Sequence, residues 1–179
     1  GAGYMRLRSH EVADIERCPI LVPALARAPE IARAVHAAVG EADVAFTATL
    51  TGLDIAVRTE RKRADGNRLM PLMARFGLAR LALNGELLAQ AANPRIRMGR
   101  AEVELPIGSF LQATDAAEEA LAAYVVDAVG KTKTVADLFC GIGPFALRLA
   151  EKARVTAHDS DRAGIAALDK AARHTSGLK

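Results

Sequence analysis

Apolar positions along the chain follow two different rhythms, and the change falls at Pro106-Ile107-Gly108. Before it, Ile31, Ala34, Val35 and Ala38 share one face at helical spacing, which predicts a helix from Pro29 to Val39. Pro29 suits its first turn and Gly40 its stop. Val44–Leu50 and Asp54–Thr59 are rich in strand-forming residues and flank Thr51-Gly52-Leu53, so they predict a hairpin. Pro71–Phe76 reads as a short helix. Leu78–Leu83 and Glu86–Ala91 flank Asn84-Gly85, a strong turn signal, and predict a second hairpin. Arg95–Met98 and Ala101–Leu105 about Gly99-Arg100 predict a third. Residues 1–22 read as irregular or extended chain, and residues 60–68 as a solvated loop. Residues 1–108 are therefore expected to form an α+β unit on an antiparallel sheet.

After residue 108 the rhythm becomes helix, strand, helix, strand, helix. Thr114 can cap a helix over Asp115–Val129, which Gly130 ends. Thr134–Leu138 predicts a buried strand, Pro144–Lys152 a helix, Arg154–Ala157 a strand and Asp161–His174 a helix. Strands alternating with helices at this spacing pair in parallel through right-handed crossovers. The fold class is therefore α/β, with residues 109–179 the truncated start of a Rossmann-like, doubly wound sheet. The missing initiator Met and the stop directly after a helix predict a piece of a longer protein.

Composition changes this picture little. Apolar residues make up 51% of the chain and aromatics 4%, with no Trp, so the core must be mostly Ala, Leu, Val and Ile. No apolar run approaches the roughly 20 residues a membrane span needs. Gly1-Ala2-Gly3-Tyr4 is unlike a signal peptide, so a cytoplasmic protein with no membrane partner is expected. Cys18 and Cys140 are far apart and read as free thiols. A net charge of +3 is compatible with a polyanionic partner without demanding one. The four histidines show no metal-ligand spacing, and no protein partner is evident.

The candidate chemistry sits in Val135-Ala136-Asp137-Leu138-Phe139-Cys140-Gly141-Ile142-Gly143-Pro144-Phe145. Glycines after a strand allow a tight turn and close ligand approach, and the following helix start offers unpaired N–H groups. Asp159 falls at the end of the next strand, where a carboxylate accepts from ribose hydroxyls. Gly141-x-Gly143-x-x-Ala146 also fits a dinucleotide loop, so a nicotinamide-dependent oxidoreductase remains an alternative. Asp137 opposes it. A carboxylate there repels a pyrophosphate and suits a ligand with a positive amino group, such as S-adenosylmethionine. Gln112, ahead of the helix leading to this strand, can donate and accept, though a polar helix-entry residue needs no ligand to explain it.

Ser109-Phe110-Leu111-Gln112, a helix, then Asp137-Leu138-Phe139-Cys140-Gly141-Ile142-Gly143 resembles the RNA 5-methyluridine (uridine-C5) methyltransferases, class I S-adenosylmethionine-dependent enzymes acting on ribosomal and transfer RNA. Val12-Ala13-Asp14-Ile15, Cys18-Pro19-Ile20-Leu21, Thr51-Gly52-Leu53-Asp54, and Gly85 to Gln90 with Pro94 resemble that family's central domain. The resemblance implies that Gln112 contacts S-adenosylmethionine, that Phe139 lies beside it and that Asp159 holds its ribose, with Asp137, Gly141 and Gly143 completing the site. Pro144 departs from members that carry Asn there. Members of that family often hold a 4Fe–4S cluster, and Cys18 matches its fourth ligand; the first three are absent from this sequence, so the resemblance implies Cys18 as an iron–sulfur ligand in the full-length protein, while here it reads as a free thiol. The family's covalent chemistry uses a Cys that adds to C6 of uracil and a base that removes the C5 proton. Those residues are expected beyond Lys179, so the chain alone is expected to be inactive and to bind cofactor weakly. Cys140 is not that nucleophile. Arg58, Arg61, Lys62, Arg63 and Arg68 read first as a solvated loop and second as RNA phosphate contacts. A noncatalytic RNA-binding module is the remaining alternative.

Overall fold

Pro29 in the first turn and Gly40 at φ 82° bound helix α1 (Ala28–Val39). Ile31, Val35 and Val39 are buried along its inner face, as the helical period requires. The computed structural model that shows this describes residues 1–61 and 65–178. Lys62 and Arg63 of the basic run lie outside the described residues. The chain divides into two compact units, Gly1–Pro94 and Arg95–Lys179.

In the first unit, strands β1 (Gly3–Met5) and β2 (Val12–Asp14) form an antiparallel hairpin inside the segment expected to be irregular or extended. Strands β3 (Asp43–Thr49), β4 (Gly52–Arg58), β5 (Leu78–Leu83) and β6 (Glu86–Gln90) form one sheet in that order. The two predicted hairpins are present. Asn84 at φ 49° and Gly85 at φ 85° take the left-handed conformations that a tight two-residue turn demands. The sheet is not antiparallel throughout, because β4 and β5 pair in parallel. Helix α2 (Pro71–Phe76) lies in the crossover between them, and such a crossover is what a parallel pair needs. All six residues of β5 are buried. The core joins Ile31 and Val35 of α1 to Ile55, Val57, Leu69, Leu72 and Leu81.

The second unit starts with the third predicted hairpin, β7 (Arg95–Met98) and β8 (Ala101–Glu104). Its Met98, Ala101 and Val103 share a core with Ile142, Leu147 and Ala171. The hairpin is thus packed with the sequence that follows it, and the contact boundary lies 14 residues ahead of the motif boundary at 108/109 (108 − 94).

Thr114 caps helix α3 (Asp115–Val129), its hydroxyl accepting from the Ala117 N–H at 3.1 Å. Strands β9 (Thr134–Leu138) and β10 (Arg154–His158) pair in parallel, Thr134 opposite Arg154 and Leu138 opposite His158. Helix α4 is confined to Ala146–Leu149, although helical hydrogen bonds run from Leu147 to Gly143 and from Ala153 to Leu149. Helix α5 (Arg162–His174) begins at Asp161, whose carboxylate accepts from the Ala163 N–H.

The expected buried strand is not buried: β9 alternates half-buried and exposed residues, and Leu138 is 62% exposed. The reason is geometric. A parallel strand reads as continuously apolar when both faces are covered, and here β9 pairs only with β10 among the described residues. No helix among the described residues is long and apolar enough to cross a membrane.

Candidate functional site

Strand β9 delivers its chain end into a loop built on left-handed residues. Phe139 has φ 62°, Gly141 φ 56° and Gly143 φ 93°. Left-handed backbone at a phenylalanine costs on the order of 1–3 kcal/mol, and such strain concentrates at ligand sites. The Phe139 ring is 90% exposed at the loop mouth. The turn is held by the Cys140 N–H donating to the His158 carbonyl at 3.1 Å and the Gly143 N–H to the Cys140 carbonyl at 2.9 Å.

The two glycines do different work. A Cβ on Gly141 would meet nothing within 4 Å, so the space beside it is open to a ligand. A Cβ on Gly143 would lie 2.4 Å from Leu168 Cδ1, because α5 packs closely there. Gly143→Ala therefore combines a clash with an unfavourable φ, and is expected to destabilise the second unit by about 1–3 kcal/mol in denaturant unfolding. An unchanged midpoint would show that α5 does not press on the loop.

Two carboxylates stand at the carboxyl ends of the paired strands. Asp159 accepts from the Gly141 N–H through Oδ2 and from the Asp161 N–H through Oδ1, each at 2.8 Å. These backbone donors hold its carboxyl below the usual carboxylate range. A carboxylate has further lone pairs, so Asp159 can still accept from a ligand hydroxyl. Asp137 lies in the opposite regime. Burial pushes its pKa up, the Ala146 N–H pulls against that, and the charge of Asp159 adds to the rise. Its Oδ2 is buried with no hydrogen-bond partner among the described residues. A buried acceptor without a donor is costly, and a cationic donor would relieve both the desolvation and the repulsion.

Cys140 is buried, and burial followed by the charges of Asp137 and Asp159 pushes its thiol up to about 11. At neutral pH roughly one such thiol in ten thousand is ionised. It is no nucleophile in this state. Iodoacetamide at neutral pH is expected to label the less buried Cys18 well before Cys140. Faster modification at Cys140 would contradict the burial.

The structure thus brings Asp137, Phe139, Gly141, Gly143 and Asp159 to one loop. Gln112 is exposed in the segment between β8 and α3, and no hydrogen bond joins it to the loop among the described residues. Cys18 lies in the first unit near Tyr4, and no group of three or more His, Cys, Asp or Glu suited to a metal occurs among the described residues. Two arginines of the basic run have local work. Arg61 donates to the Val39 carbonyl and Arg68 to the Ala37 carbonyl, satisfying the exposed end of α1.

Sequence reasoning missed Arg148. It is buried in α4, donates to the Pro144 carbonyl at 2.7 Å, and pairs with Glu118 at 3.0 Å and with Glu119. It thereby ties the carboxyl side of the Gly loop to α3. An arginine within Ala146-Leu147-Arg148-Leu149-Ala150 was the available signal.

No family model matches the chain. Over 99% of its length it is 44% identical to an RNA methyltransferase of Brucella melitensis, covering 44% of that protein. Over 83% of its length it is 29% identical to the 23S rRNA (uracil(1939)-C(5))-methyltransferase RlmD of Shewanella piezotolerans, covering 37% of it. Among solved structures, tRNA (uracil-54, C5)-methyltransferase of Pyrococcus abyssi, in complex with S-adenosyl-L-homocysteine, matches 94% of the chain. The TM-score is 0.69 at 16% identity, with 48% of that protein covered. The chain spans less than half the length of these relatives.

Proposed function

We propose that this chain belongs to the RNA uridine-C5 methyltransferase family and supplies the S-adenosylmethionine-binding loop of an enzyme that methylates C5 of uridine in ribosomal or transfer RNA. The observation that carries the reading is the buried Oδ2 of Asp137, without a hydrogen-bond partner among the described residues, beside an open Gly loop. A cationic amino group fits that vacancy in the hydrogen bonding, and a pyrophosphate does not. The oxidoreductase reading loses its support at the same atom. The similarity to RNA methyltransferases likewise favours an enzyme over a noncatalytic RNA-binding module. A cytoplasmic location is consistent with RNA as the partner.

When bound, S-adenosylmethionine supplies an electrophilic methyl group on its sulfonium. The chain's own residues bind and orient that ligand. Asp137 accepts from the amino group, and Asp159, already ordered by two backbone donors, accepts from the ribose hydroxyls. Phe139 offers an apolar face at the loop mouth, and Gln112 contributes its amide. Gly141 keeps the approach clear and Gly143 keeps α5 close. Within this chain Cys18 is one thiol where a 4Fe–4S cluster needs four, so a cluster held through Cys18 belongs only to the full-length protein, with the other ligands supplied from outside this sequence.

The pH dependence of S-adenosylhomocysteine binding tests this assignment. Asp137 holds its proton above the ordinary carboxylate range in the free protein. The ligand's amino group favours the ionised form, so binding releases a proton in that window. Affinity is expected to rise with pH through the raised pKa and then level off. Asp137→Asn is expected to weaken binding roughly tenfold or more at neutral pH, as for loss of a charged hydrogen bond, and to flatten the profile. An affinity indifferent to both pH and the substitution would remove Asp137 from the site.

A further inference from the structure

The parallel pair β9–β10 has a second end, and its chemistry differs from that of the Gly loop. A concavity of about 760 Å³ there is lined by Gly130, Lys131, Thr132, Lys133, Thr134, Lys152 and Arg154. The lining holds four cations and no carboxylate. All four are exposed, and none forms an ion pair among the described residues. The backbone brings them together. Gly130 ends α3 at φ 60°, and Arg154 opens β10 by donating its N–H to the Lys133 carbonyl at 2.8 Å. Lys131 and Lys133 are thereby set against Lys152 and Arg154 from the far side of the crossover.

One of these cations has an ordinary explanation. The last carbonyls of α3 carry partial negative charge, which a single lysine in the next turn complements. That leaves three more cations on one concave surface, together with the hydroxyls of Thr132 and Thr134. Like charges held close without counter-charges repel one another, so a partner that neutralises them gains affinity.

We propose that this basic concavity binds phosphodiester groups of the RNA substrate, at a site separate from the methyl-donor loop. The proposal rests on the reading of the chain as part of an RNA methyltransferase. Strand β9 separates the two sites by four residue steps, about 13 Å at 3.3 Å per residue. The concavity therefore receives phosphates flanking the reacting nucleotide. Its contacts are to backbone, so they add affinity and register without reading sequence. A concavity of this volume also admits free phosphate, which the test separates from RNA.

The test is fluorescence anisotropy of this chain with labelled oligouridine over a series of salt concentrations. The triple variant Lys131→Gln, Lys133→Gln, Lys152→Gln is compared with a control, Arg6→Gln, Arg8→Gln, Arg17→Gln, that loses the same charge elsewhere. Arg154 is retained because it begins β10. Neutralising three phosphate contacts on a single strand lowers the slope of log affinity against log salt by about 2. The expected result is that fall in slope with at least a tenfold loss of RNA affinity for the triple variant, and a smaller effect for the control. Excess inorganic phosphate is expected not to displace the RNA at equal ionic strength. An unchanged slope in the triple variant, equal losses in both variants, displacement by phosphate alone, or no RNA binding by the parent chain would each overturn the proposal. S-adenosylhomocysteine binding, measured in parallel, reports on the methyl-donor loop by itself. Its loss in the parent chain would count against the functional reading; its retention in the triple variant shows that the variant is folded.

Discussion

Asp54→Ala is expected to lower the unfolding free energy of the first unit by about 3–5 kcal/mol, the usual consequence of removing one partner from a buried ion pair. Asp54 faces Arg80 across the parallel β4–β5 pair. Arg80 Nε donates to Oδ1 at 2.8 Å and Nη2 to Oδ2 at 2.6 Å, with the side chains 6% and 10% exposed. The planar fork matches the carboxylate in both geometry and charge. Deleting the carboxylate leaves a guanidinium in the sheet interior with its main counter-charge gone. The double variant Asp54→Leu, Arg80→Met removes both charges and is expected to recover most of the loss. Urea unfolding of the three proteins decides the matter. If Asp54→Ala costs under about 1 kcal/mol, the pair behaves as a solvent-screened surface bridge and not as a buried one.

Arg148→Ala is the second large effect, again about 3–5 kcal/mol, but in the second unit. Arg148 is 8% exposed and Glu118 13%, whereas Glu119 is 63% exposed. The Glu118 interaction should therefore dominate, since an exposed partner contributes little. Glu118→Gln is expected to destabilise clearly more than Glu119→Gln. The arginine also donates to Pro144, so its loss releases one side of the Gly loop. Hydrogen exchange at the Gly143 and Leu147 amides should speed up in Arg148→Ala. Equal costs at the two glutamates, or unchanged exchange, would mean that Arg148 acts only as packing.

Where short-range chemistry decides the structure, the sequence was legible. Asn84-Gly85 specifies its turn through two left-handed residues, and Thr114 and Asp161 specify helix starts through their side-chain oxygens. Pro71–Phe76 and Thr134–Leu138 end where the sequence predicts. What local pattern could not specify was pairing between distant segments. The parallel β4–β5 pair and the packing of the β7–β8 hairpin with α5 both depend on long-range burial. The sequence also placed Asp137, Phe139, Gly141 and Gly143 in one strand–turn–helix unit, which keeps them adjacent, and Asp159 at the end of the next strand. It did not reveal that Asp159 clamps the Gly141 amide, that one Asp137 oxygen has no partner among the described residues, or that Arg148 braces the loop. Those facts depend on hydrogen bonds that periodicity does not encode. The basic concavity was equally hidden, since Lys131 and Lys152 lie 21 positions apart (152 − 131) and meet only through the crossover.

The most direct test of the central claim is an amide chemical-shift titration of the isotopically labelled chain with S-adenosylhomocysteine and, separately, with NADH, taken to millimolar ligand so that weak binding registers. Shifts from S-adenosylhomocysteine are expected to concentrate at Phe139, Cys140, Gly141 and Asp159, with no matching response to NADH. Shifts at those amides from NADH and none from S-adenosylhomocysteine would contradict it, and would make the Gly loop a dinucleotide site.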